Sequence, residues 1–277
     1  VVRLLRARGY ENLVLPTRDE LDLRDAHATR EFFAREKPEY VFLCAAKVGG
    51  IAANSAHPAD FLFQNLAISG NVIGCIYPRL APQPISESAL LTGELEPTNR
   101  AYAVAKIAAI EMCDALRAQH GADFISAMPT NLYGPFDSFD LENSHVLPAL
   151  IRKFVEARDA GQNAVEVWGS GTPCREFLWV DDLAEACLFL MQNWSESGPI
   201  NVGVGEDISI RNLAQLVAKI VGFDGEIRFD ASRPDGTPRK LLDVSKMNAL
   251  GWRARTSLRD GIAQTVAFYE QNGHAQS

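Results

Sequence analysis

The chain has 277 residues, of which 47% are hydrophobic, so it is long enough and apolar enough to bury a substantial core. Its net charge of −8 argues against broad nucleic-acid binding, because such binding needs a positive field along the phosphate backbone. We expect no nucleic-acid partner, and any phosphate-bearing ligand has to be bound by local basic residues.

The sequence also predicts a cytoplasmic protein without a membrane partner. No apolar run reaches the about 18 residues of a membrane span, and the N-terminal apolar stretch is too short for a signal peptide. The five cysteines form no CxxC pair and lack the His and Cys spacing of zinc sites. We therefore expect reduced thiols and no metal.

Helical segments alternate with short apolar runs in the N-terminal half, which is typical of βαβ units and a parallel sheet. We predict strands at 13–16 and 40–46 and a helix at 25–36 between them. Residues 1–9 have the pattern of a helix that ends at a glycine, so the first βα unit is expected to be missing. A strand is also expected to be missing between residues 73 and 74, where a helical segment passes directly into a turn.

A long helix is predicted from Ala101 to about Gln119, with residues 97–99 as capping candidates and Gly121 as the stop. The segment 124–135 is predicted to form one buried strand that ends in a loop.

Together these elements predict an α/β protein with a Rossmann-type doubly wound parallel sheet and a smaller C-terminal α+β domain. We assign residues 1–133 and 176–205 to the sheet domain, and residues 134–175 and 206–277 to the second domain. The active site is expected in the cleft between the two domains.

Tyr102 and Lys106 are four residues apart on the predicted long helix, so both side chains project from one face. An ammonium group near a phenol favours loss of the phenolic proton and makes the tyrosine a usable acid at neutral pH. A YxxxK pattern also occurs by chance in many chains of this length. By itself the pair therefore allows either a catalytic role or two ordinary helix residues.

Cys75 and His145 are two further candidates for proton transfer. Cys75 lies in a turn, where a thiol can be exposed enough to exchange a proton, although an isolated cysteine is more often a small buried apolar residue. His145 follows a polar run just before a predicted helix, and the competing interpretation is a surface histidine at a helix start.

Several residues suit the recognition of a nucleotide. Arg18 follows the first predicted strand, where the adenosine ribose lies in a dinucleotide fold, and its guanidinium suits a 2′-phosphate. Arg175 and the pair Arg239 and Lys240 lie in loops rich in glycine and proline, as befits a diphosphate clamp. Trp168 could stack on a base or sugar. The competing interpretations are solvated surface charge for the basic residues and half-buried core for the tryptophan.

Seven motifs in a fixed order carry a family resemblance: CAAKVGGI, CIYP, EPTNRAYAVAK, MPTNLYGP, NSHVLPALIRKF, VWGSGTPCREFLWVDD and DGTPRKLLDV. With them, the chain from about Thr17 to Tyr269 resembles the GDP-L-fucose synthases, which are extended short-chain dehydrogenase/reductases. Composition does not explain so many motifs in register. The resemblance therefore favours the catalytic interpretation of Tyr102 and Lys106.

That family reduces and epimerises GDP-4-keto-6-deoxy-D-mannose to GDP-L-fucose with NADPH. The resemblance implies that Cys75 and His145 invert C3 and C5 of the sugar as an acid/base pair, and that Tyr102 protonates the C4 oxygen during reduction. Enolate formation acidifies the hydrogens beside a ketone, so a base and an acid are needed there. The resemblance also implies NADP(H) as cofactor, a GDP-sugar as substrate and a homodimer.

The same resemblance implies binding roles position by position, with the cofactor in the sheet domain and the GDP-sugar in the second domain. The residues implied for the NADP(H) site are Arg18, Asp19, Glu20, Leu21, Asp22, Leu23, Lys106, Pro129, Thr130, Asn131, Leu132 and His145. Those implied for the GDP-sugar are Lys153, Trp168, Arg175 and Asp235, with Arg239 and Lys240 as further candidates.

Two family features are missing from the sequence. The glycine-rich loop for the pyrophosphate belongs upstream of Val1, and the serine that bonds the substrate carbonyl is missing, with Gly74 in the adjoining place. Two other functions therefore stay open. One is another nucleotide-sugar epimerase, dehydratase or reductase of this superfamily, which would have no use for Cys75 and His145 as a pair. The other is a nucleotide-sugar-binding module without catalysis.

Overall fold

The computed structural model describes residues 1–47, 56–68, 77, 79–141, 144–233 and 235–272. The α-helices are α1 Val2–Ala7, α2 Ala26–Glu36, α3 Pro58–Ile68, α4 Arg100–His120, α5 Val146–Asp159, α6 Val180–Asn193, α7 Ile210–Val221, α8 Ser245–Leu250 and α9 Leu258–Asn272. Short 3-10 helices span Glu87–Ala89 and Pro97–Asn99. The strands are β1 Ser126–Pro129, β2 Asn131–Tyr133, β3 Ala164–Trp168, β4 Cys174–Arg175, β5 Phe177–Trp179, β6 Pro199–Val202, β7 Ile208–Ser209, β8 Glu226–Asp230 and β9 Arg239–Lys240.

Most of the strand pairs are parallel. β1 pairs with β6, β2 with β5 and β3 with β8, all in parallel register. Helices connect successive strands, as α6 does between β5 and β6. β4 differs, because it runs parallel to β9 and antiparallel to β7. The α/β class with parallel strands that the sequence predicted is confirmed.

Apolar clusters hold the helices against these strands. The larger cluster packs α5, α7 and α9 around β3 and includes the fully buried Phe154, Leu213 and Ile262. A second cluster packs α6 and α8 on β5 and β6 through Leu178 and Ile200. Full burial of such a side chain stabilises the fold by about 1.5–3 kcal/mol. Among the described residues, none of the helices combines the length and the apolar character needed to cross a bilayer.

Helices α2 and α4 end where the sequence predicted. The Asp25 carboxylate caps α2 by accepting hydrogen bonds from the N–H groups of His27 and Ala28, at 2.8 and 3.0 Å. α4 ends at Gly121, whose φ of 67° lies in the left-handed region that favours glycine. Of the three capping candidates, Asn99 occupies the N-cap position of α4, as predicted, but its side chain makes no capping hydrogen bond.

Two predicted strands, at 13–16 and 40–46, do not form among the described residues. Val14, Leu15 and Val41 are 46–48% exposed. A strand needs a hydrogen-bonded neighbour, and in a doubly wound sheet both segments flank the first strand. That neighbour is not part of the described chain, so the apolar pattern alone does not produce a strand. The strand expected to be missing between residues 73 and 74 lies outside the described residues.

The segment 124–135, predicted as one strand, forms two. β1 pairs with β6 and β2 pairs with β5, so the chain changes its partner between them. Thr130 stands at this change, and its N–H donates to the carbonyl of Val202 at 3.1 Å. The result is a step in the sheet at the carboxyl end of β1, which is where ligands bind in doubly wound folds.

Candidate active site

Tyr102 and Lys106 lie on the buried face of α4, close to its N-terminal end. Their exposed fractions are 7% and 1%, and Lys106 Nζ lies 5.5 Å from the centre of the Tyr102 ring. Ile107 and Ile110 pack this part of the helix against Met128 of β1. The prediction that both side chains share one helix face is confirmed.

Lys106 is a buried cation. Within the described parts of the chain, no side chain forms an ion pair or hydrogen bond with its ammonium. Burial removes water from the ammonium and lowers the pKa of Lys106 to about 8. A buried ammonium of this kind needs polar partners, and the hydroxyl groups of a nucleotide ribose can supply them. The site therefore fits a nicotinamide nucleotide bound beside Tyr102.

Asn65 of α3 fixes the surroundings of Tyr102, a role that the sequence analysis missed. Asn65 is 1% exposed; its Oδ1 accepts a hydrogen bond from Lys47 N–H, and its Nδ2 donates to the carbonyls of Lys47 and Phe61 at 3.0 and 2.7 Å. The Phe61 ring meets the Tyr102 ring edge to face, with centres 6.4 Å apart. Asn65 thus holds the aromatic wall against which Tyr102 packs.

The predicted ribose segment forms a turn that is held by hydrogen bonds between its own residues. Glu20 Oε2 accepts hydrogen bonds from the N–H and hydroxyl of Thr17, at 2.7 and 2.9 Å. Asp22 pairs with Arg24, at 2.5 Å. Arg18 is exposed and forms no ion pair within the described residues, so its guanidinium is able to bind a phosphate. Of the remaining predicted residues, Asp19 is exposed, Leu21 is buried and Leu23 is half-buried.

The segment Pro129 to Leu132 lies at the step between β1 and β2. Thr130 Oγ1 and Asn131 Nδ2 both donate to the backbone carbonyl of Glu176, at 3.2 and 2.7 Å. Pro129 ends β1, and Leu132 lies in β2. The four residues are therefore at the sheet edge where a dinucleotide binds, as their predicted cofactor role requires.

The predicted diphosphate clamp comes together through strand pairing. Arg175 of β4 lies directly across from Lys240 of β9, and Arg239 lies across from Cys174. The sheet therefore brings residues from two distant loops side by side. Arg239 is paired with Asp207, with Nε and Oδ2 2.6 Å apart, which neutralises part of its charge. Arg175, whose Nη1 donates to the carbonyl of Cys174 at 2.7 Å, and Lys240 are the other two members of the predicted clamp.

Trp168, at the end of β3, forms an exposed aromatic surface between two cations. Its exposed fraction is 50%, and Lys153 Nζ and Arg233 Cζ lie 5.1 and 4.8 Å from the ring centre. Lys153 also donates to the carbonyl of Glu166 at 3.0 Å. Sequence analysis had predicted Trp168 and Lys153 but missed Arg233, since no motif marked it and only the fold brings it to the ring.

Asp235 fixes the loop that follows Trp168. Its two carboxylate oxygens accept hydrogen bonds from the N–H and the hydroxyl of Ser170, at 2.7 and 2.8 Å. Gly169 has a φ of 87°, and a Cβ at this position would lie 2.5 Å from Asp235 Oδ1, so only glycine fits. A ligand contact by Asp235 would use the remaining lone pairs of this carboxylate.

His145 is exposed and occupies the N-cap position of α5, as predicted, but its side chain makes no capping hydrogen bond. It lies near Asp137: burial raises the pKa of that carboxyl, and the charge of His145 acts in the opposite direction. No hydrogen bond between described residues joins His145 to Tyr102. Cys75 and Gly74 lie outside the described residues.

Comparisons with known proteins agree with this geometry. Residues 1–203 match the NAD dependent epimerase/dehydratase family. GDP-L-fucose synthase 1 of Arabidopsis thaliana is 54% identical over 288 positions, covering 98% of this chain and 89% of the relative. A solved GDP-6-OMe-4-keto-L-xylo-heptose reductase from C. jejuni is 38% identical with a TM-score of 0.89, covering 98% of this chain and 93% of that one. A GDP-L-fucose synthetase from Naegleria fowleri, solved with NADP bound, is 27% identical with a TM-score of 0.87, covering 99% and 90%.

The family match extends over most of the chain, and the identity to the plant relative extends over almost all of it. The parallel strand pairs and the edge at β1 are features of folds that bind a dinucleotide. The chain therefore belongs to the NAD dependent epimerase/dehydratase family, within the group that contains the GDP-L-fucose synthases.

Proposed function

We propose that the chain catalyses the NADPH-dependent 3,5-epimerisation and 4-keto reduction of GDP-4-keto-6-deoxy-D-mannose to GDP-L-fucose. The observation that carries this proposal is the buried Lys106 ammonium beside the Tyr102 ring, because it suits keto reduction next to a nucleotide cofactor. The substrate is proposed from the GDP-L-fucose synthases that the chain resembles, with 54% identity in one case. The basic pair Arg175 and Lys240 suits the diphosphate of such a substrate.

In the reductive step, NADPH supplies the hydride that converts the C4 ketone to an alcohol. Tyr102 donates its phenolic proton to the C4 oxygen as negative charge develops there. Lys106 stabilises the phenolate that remains, because its ammonium lies 5.5 Å from the ring in a buried setting where charge interactions are strong. Arg18 would hold the 2′-phosphate of the cofactor, and residues Pro129 to Leu132 would line its site.

The epimerisation requires proton removal on one face of C3 and C5 and proton return on the other. We assign these transfers to His145 and Cys75. The support for His145 is its exposed position at the start of α5, the helix that also carries Lys153. For Cys75, which lies outside the described residues, the support is the sequence motif alone.

A second candidate function is C4 reduction of a GDP-sugar without epimerisation. The 38% identity to the C. jejuni reductase favours it, because that protein is named for reduction alone. The two functions share the use of Tyr102 and Lys106 but differ in the need for proton exchange at C3 and C5. Proton exchange is therefore the property that distinguishes them.

The proposed function is tested by incubating the protein with GDP-4-keto-6-deoxy-D-mannose and NADPH. We expect NADPH oxidation that depends on the GDP-sugar, and a product that comigrates with GDP-L-fucose. The matching UDP-sugar is the control and should be a poor substrate. If GDP is bound but NADPH is neither bound nor oxidised, the proposal fails and a non-catalytic binding module is the better description.

His145→Ala should lower solvent-deuterium incorporation at C3 and C5 by about 10²–10⁴-fold, because the variant lacks one of the two proton-transfer groups. Binding of NADPH, to which His145 is implied to contribute, should be impaired much less than this exchange. NMR of the sugar after incubation in D₂O measures the exchange. His120→Ala, at the far end of α4, is the control and should exchange at the normal rate. Normal exchange in the His145 variant would remove this residue from the mechanism.

The exposed faces of α3 and α4 support a homodimer. Phe63 and Leu66 of α3 are 70% and 39% exposed, and Val104 and Met112 of α4 are 42% and 41% exposed. Phe63 and Leu66 are three positions apart and Val104 and Met112 are eight positions apart, so on each helix the two side chains lie on one face and form an apolar stripe. We propose that a second copy of this chain covers both stripes, since an exposed apolar patch of this kind marks an interaction site.

Phe63→Glu should convert the dimer into a monomer, because it places a charge in the centre of the proposed apolar contact. We expect the dimer dissociation constant to rise by at least about tenfold, measured by sedimentation equilibrium. Leu80→Glu is the control, since Leu80 is 83% exposed but lies on neither helix. A wild-type protein that remains monomeric at about 10 μM, or equal effects of both variants, would contradict the dimer.

The division of the chain stays part of the proposal. Residues 1–133 and 176–205 would bind NADPH, and residues 134–175 and 206–277 would bind the GDP-sugar. The support is that Tyr102 and Lys106 lie in the first set, whereas Trp168 and the β4 to β9 pair lie mainly in the second. A cytoplasmic location, where thiols are kept reduced, belongs to the same proposal.

A further inference from the structure

Glu176 is a buried carboxylate that the proposed reaction does not use. It lies between β4 and β5, directly after Arg175, and its exposed fraction is 0%. Its Oε1 accepts hydrogen bonds from the N–H groups of Val204 and Gly205, at 2.6 and 2.7 Å. Its Oε2 accepts one from Leu242 N–H, at 2.9 Å. The carboxylate is thus satisfied by backbone donors of two other segments, with a further side-chain hydrogen bond from Thr130.

The surrounding sequence is shaped to admit this carboxylate. A Cβ at Gly203 would lie 2.3 Å from Glu176 Oε1, a distance that real Cβ atoms essentially never show. A side chain at 203 would therefore have to displace the Glu176 carboxylate from its hydrogen bonds. This fit indicates a built contact between the residue before β5 and the loop after β6.

Glu176 also connects the two parts of the proposed site. Its backbone carbonyl accepts the hydrogen bonds of Thr130 and Asn131, at the cofactor edge. Its side chain holds Leu242, which follows Lys240 by two residues, and its neighbour Arg175 faces Lys240 across the strand pair. One residue therefore contacts the cofactor edge with its main chain and, with its side chain, the backbone two residues beyond Lys240.

We propose that Glu176 is a positioning residue that holds the clamp formed by Arg175 and Lys240 at a fixed place relative to the cofactor edge at Thr130 and Asn131. The inference rests on the proposed function, because it assigns the clamp to the GDP diphosphate. Loss of the carboxylate removes the bond to Leu242 N–H, so the segment that carries Lys240 shifts from its place although Gln83 still binds Leu241, and the β-phosphate loses a partner. The backbone carbonyl of residue 176 still holds Thr130 and Asn131, so NADPH binding is retained.

Glu176→Gln is the principal variant. A glutamine amide has one acceptor oxygen and an NH₂ group, so in either orientation at least one of the three backbone N–H donors faces another donor. Gly203→Ala is the second variant, because its methyl group displaces the carboxylate from the opposite side. Asp182→Asn is the matched control: Asp182 is a buried carboxylate that accepts hydrogen bonds from Arg255 and Thr256 N–H, outside the clamp.

The measurement is the ratio of the GMP and GDP dissociation constants, obtained by calorimetry below the unfolding temperature of each folded variant. The ratio reports the β-phosphate contact and is insensitive to a general loss of stability. We expect GDP to bind at least about tenfold more tightly than GMP in the wild type. In Glu176→Gln and in Gly203→Ala, GDP should bind no more than about twofold more tightly than GMP, with NADPH affinity unchanged.

Asp182→Asn should lower the melting temperature but keep the wild-type ratio. The positioning role is overturned if the wild type does not prefer GDP, if Glu176→Gln and Gly203→Ala keep the wild-type ratio, or if Asp182→Asn loses it equally. A wild-type protein that prefers GDP but forms no GDP-L-fucose contradicts the proposed function instead, so the two failures are distinguishable.

Discussion

Tyr102→Phe is expected to lower kcat for keto reduction by about 10²–10⁴-fold, while the dissociation constants for NADPH and GDP change by less than about twofold. The variant removes the only phenolic proton at this position but keeps the ring. The ring remains buried and in edge contact with Phe61, at 6.4 Å between centres, so the fold should be preserved. NADPH oxidation at saturating substrate measures the effect.

Tyr133→Phe is the matched control for this prediction. Tyr133 is also buried, at 2% exposed, and its ring contacts Phe177 and Trp179. It belongs to the cluster around β3 and should keep nearly normal kcat. Equal losses in both variants would show that the effect of Tyr102→Phe comes from packing rather than from proton transfer.

Lys106 is expected to give the enzyme an alkaline limit near its lowered pKa. Burial brings the pKa of Lys106 from an ordinary 10.5 to about 8, so the ammonium of the free enzyme is lost as pH rises through that value. The ratio kcat/KM for NADPH should therefore fall above about pH 8. Lys106→Arg keeps its charge at all these pH values, so its kcat/KM should be lower than that of the wild type but should not fall over this pH range. Lys106→Met should lose about 10²–10⁴-fold in kcat/KM.

The titration of Lys106 should have the opposite effect on stability. Activity falls as the pH rises, whereas the free energy of unfolding increases. Because the folded pKa is depressed, the unfolded chain binds more protons between about pH 8 and the ordinary pKa of 10.5. This contribution to the free energy of unfolding is fully present above 10.5 and is lost as pH falls through about 8. Thermal unfolding of the wild type and of Lys106→Met at several pH values compares how steeply the free energy of unfolding depends on pH. If reaction rate and stability depended on pH in the same way in the wild type and in Lys106→Arg, a group other than Lys106 would be titrating.

Local sequence signals predicted the helices well. Gly121 ends α4 through contacts with residues a few positions away, so its role was visible in the sequence, and the predicted helix at 25–36 begins at the Asp25 cap. The shared face of Tyr102 and Lys106 follows from helix periodicity in the same way. The family motifs then supplied chemistry that periodicity could not.

Contacts between distant segments were not predictable. The sequence predicted Arg175 and Lys240 for one clamp but not the strand register that sets them side by side, and it missed the placement of Arg233 on Trp168. Glu176 carries no periodic or motif signal for its role, since its partners belong to loops that only the fold brings together. The apolar run at 40–46 shows the converse, because a strand pattern without a neighbouring strand remains irregular.

The most direct test of the proposed chemistry is the structure of the product formed in D₂O. The wild-type protein, GDP-4-keto-6-deoxy-D-mannose and NADPH should give GDP-L-fucose that carries deuterium at both C3 and C5, with one NADPH oxidised per product. This result requires epimerisation and reduction in one site. A reduced GDP-sugar without deuterium at C3 and C5 would contradict the account and identify the chain as a simple reductase.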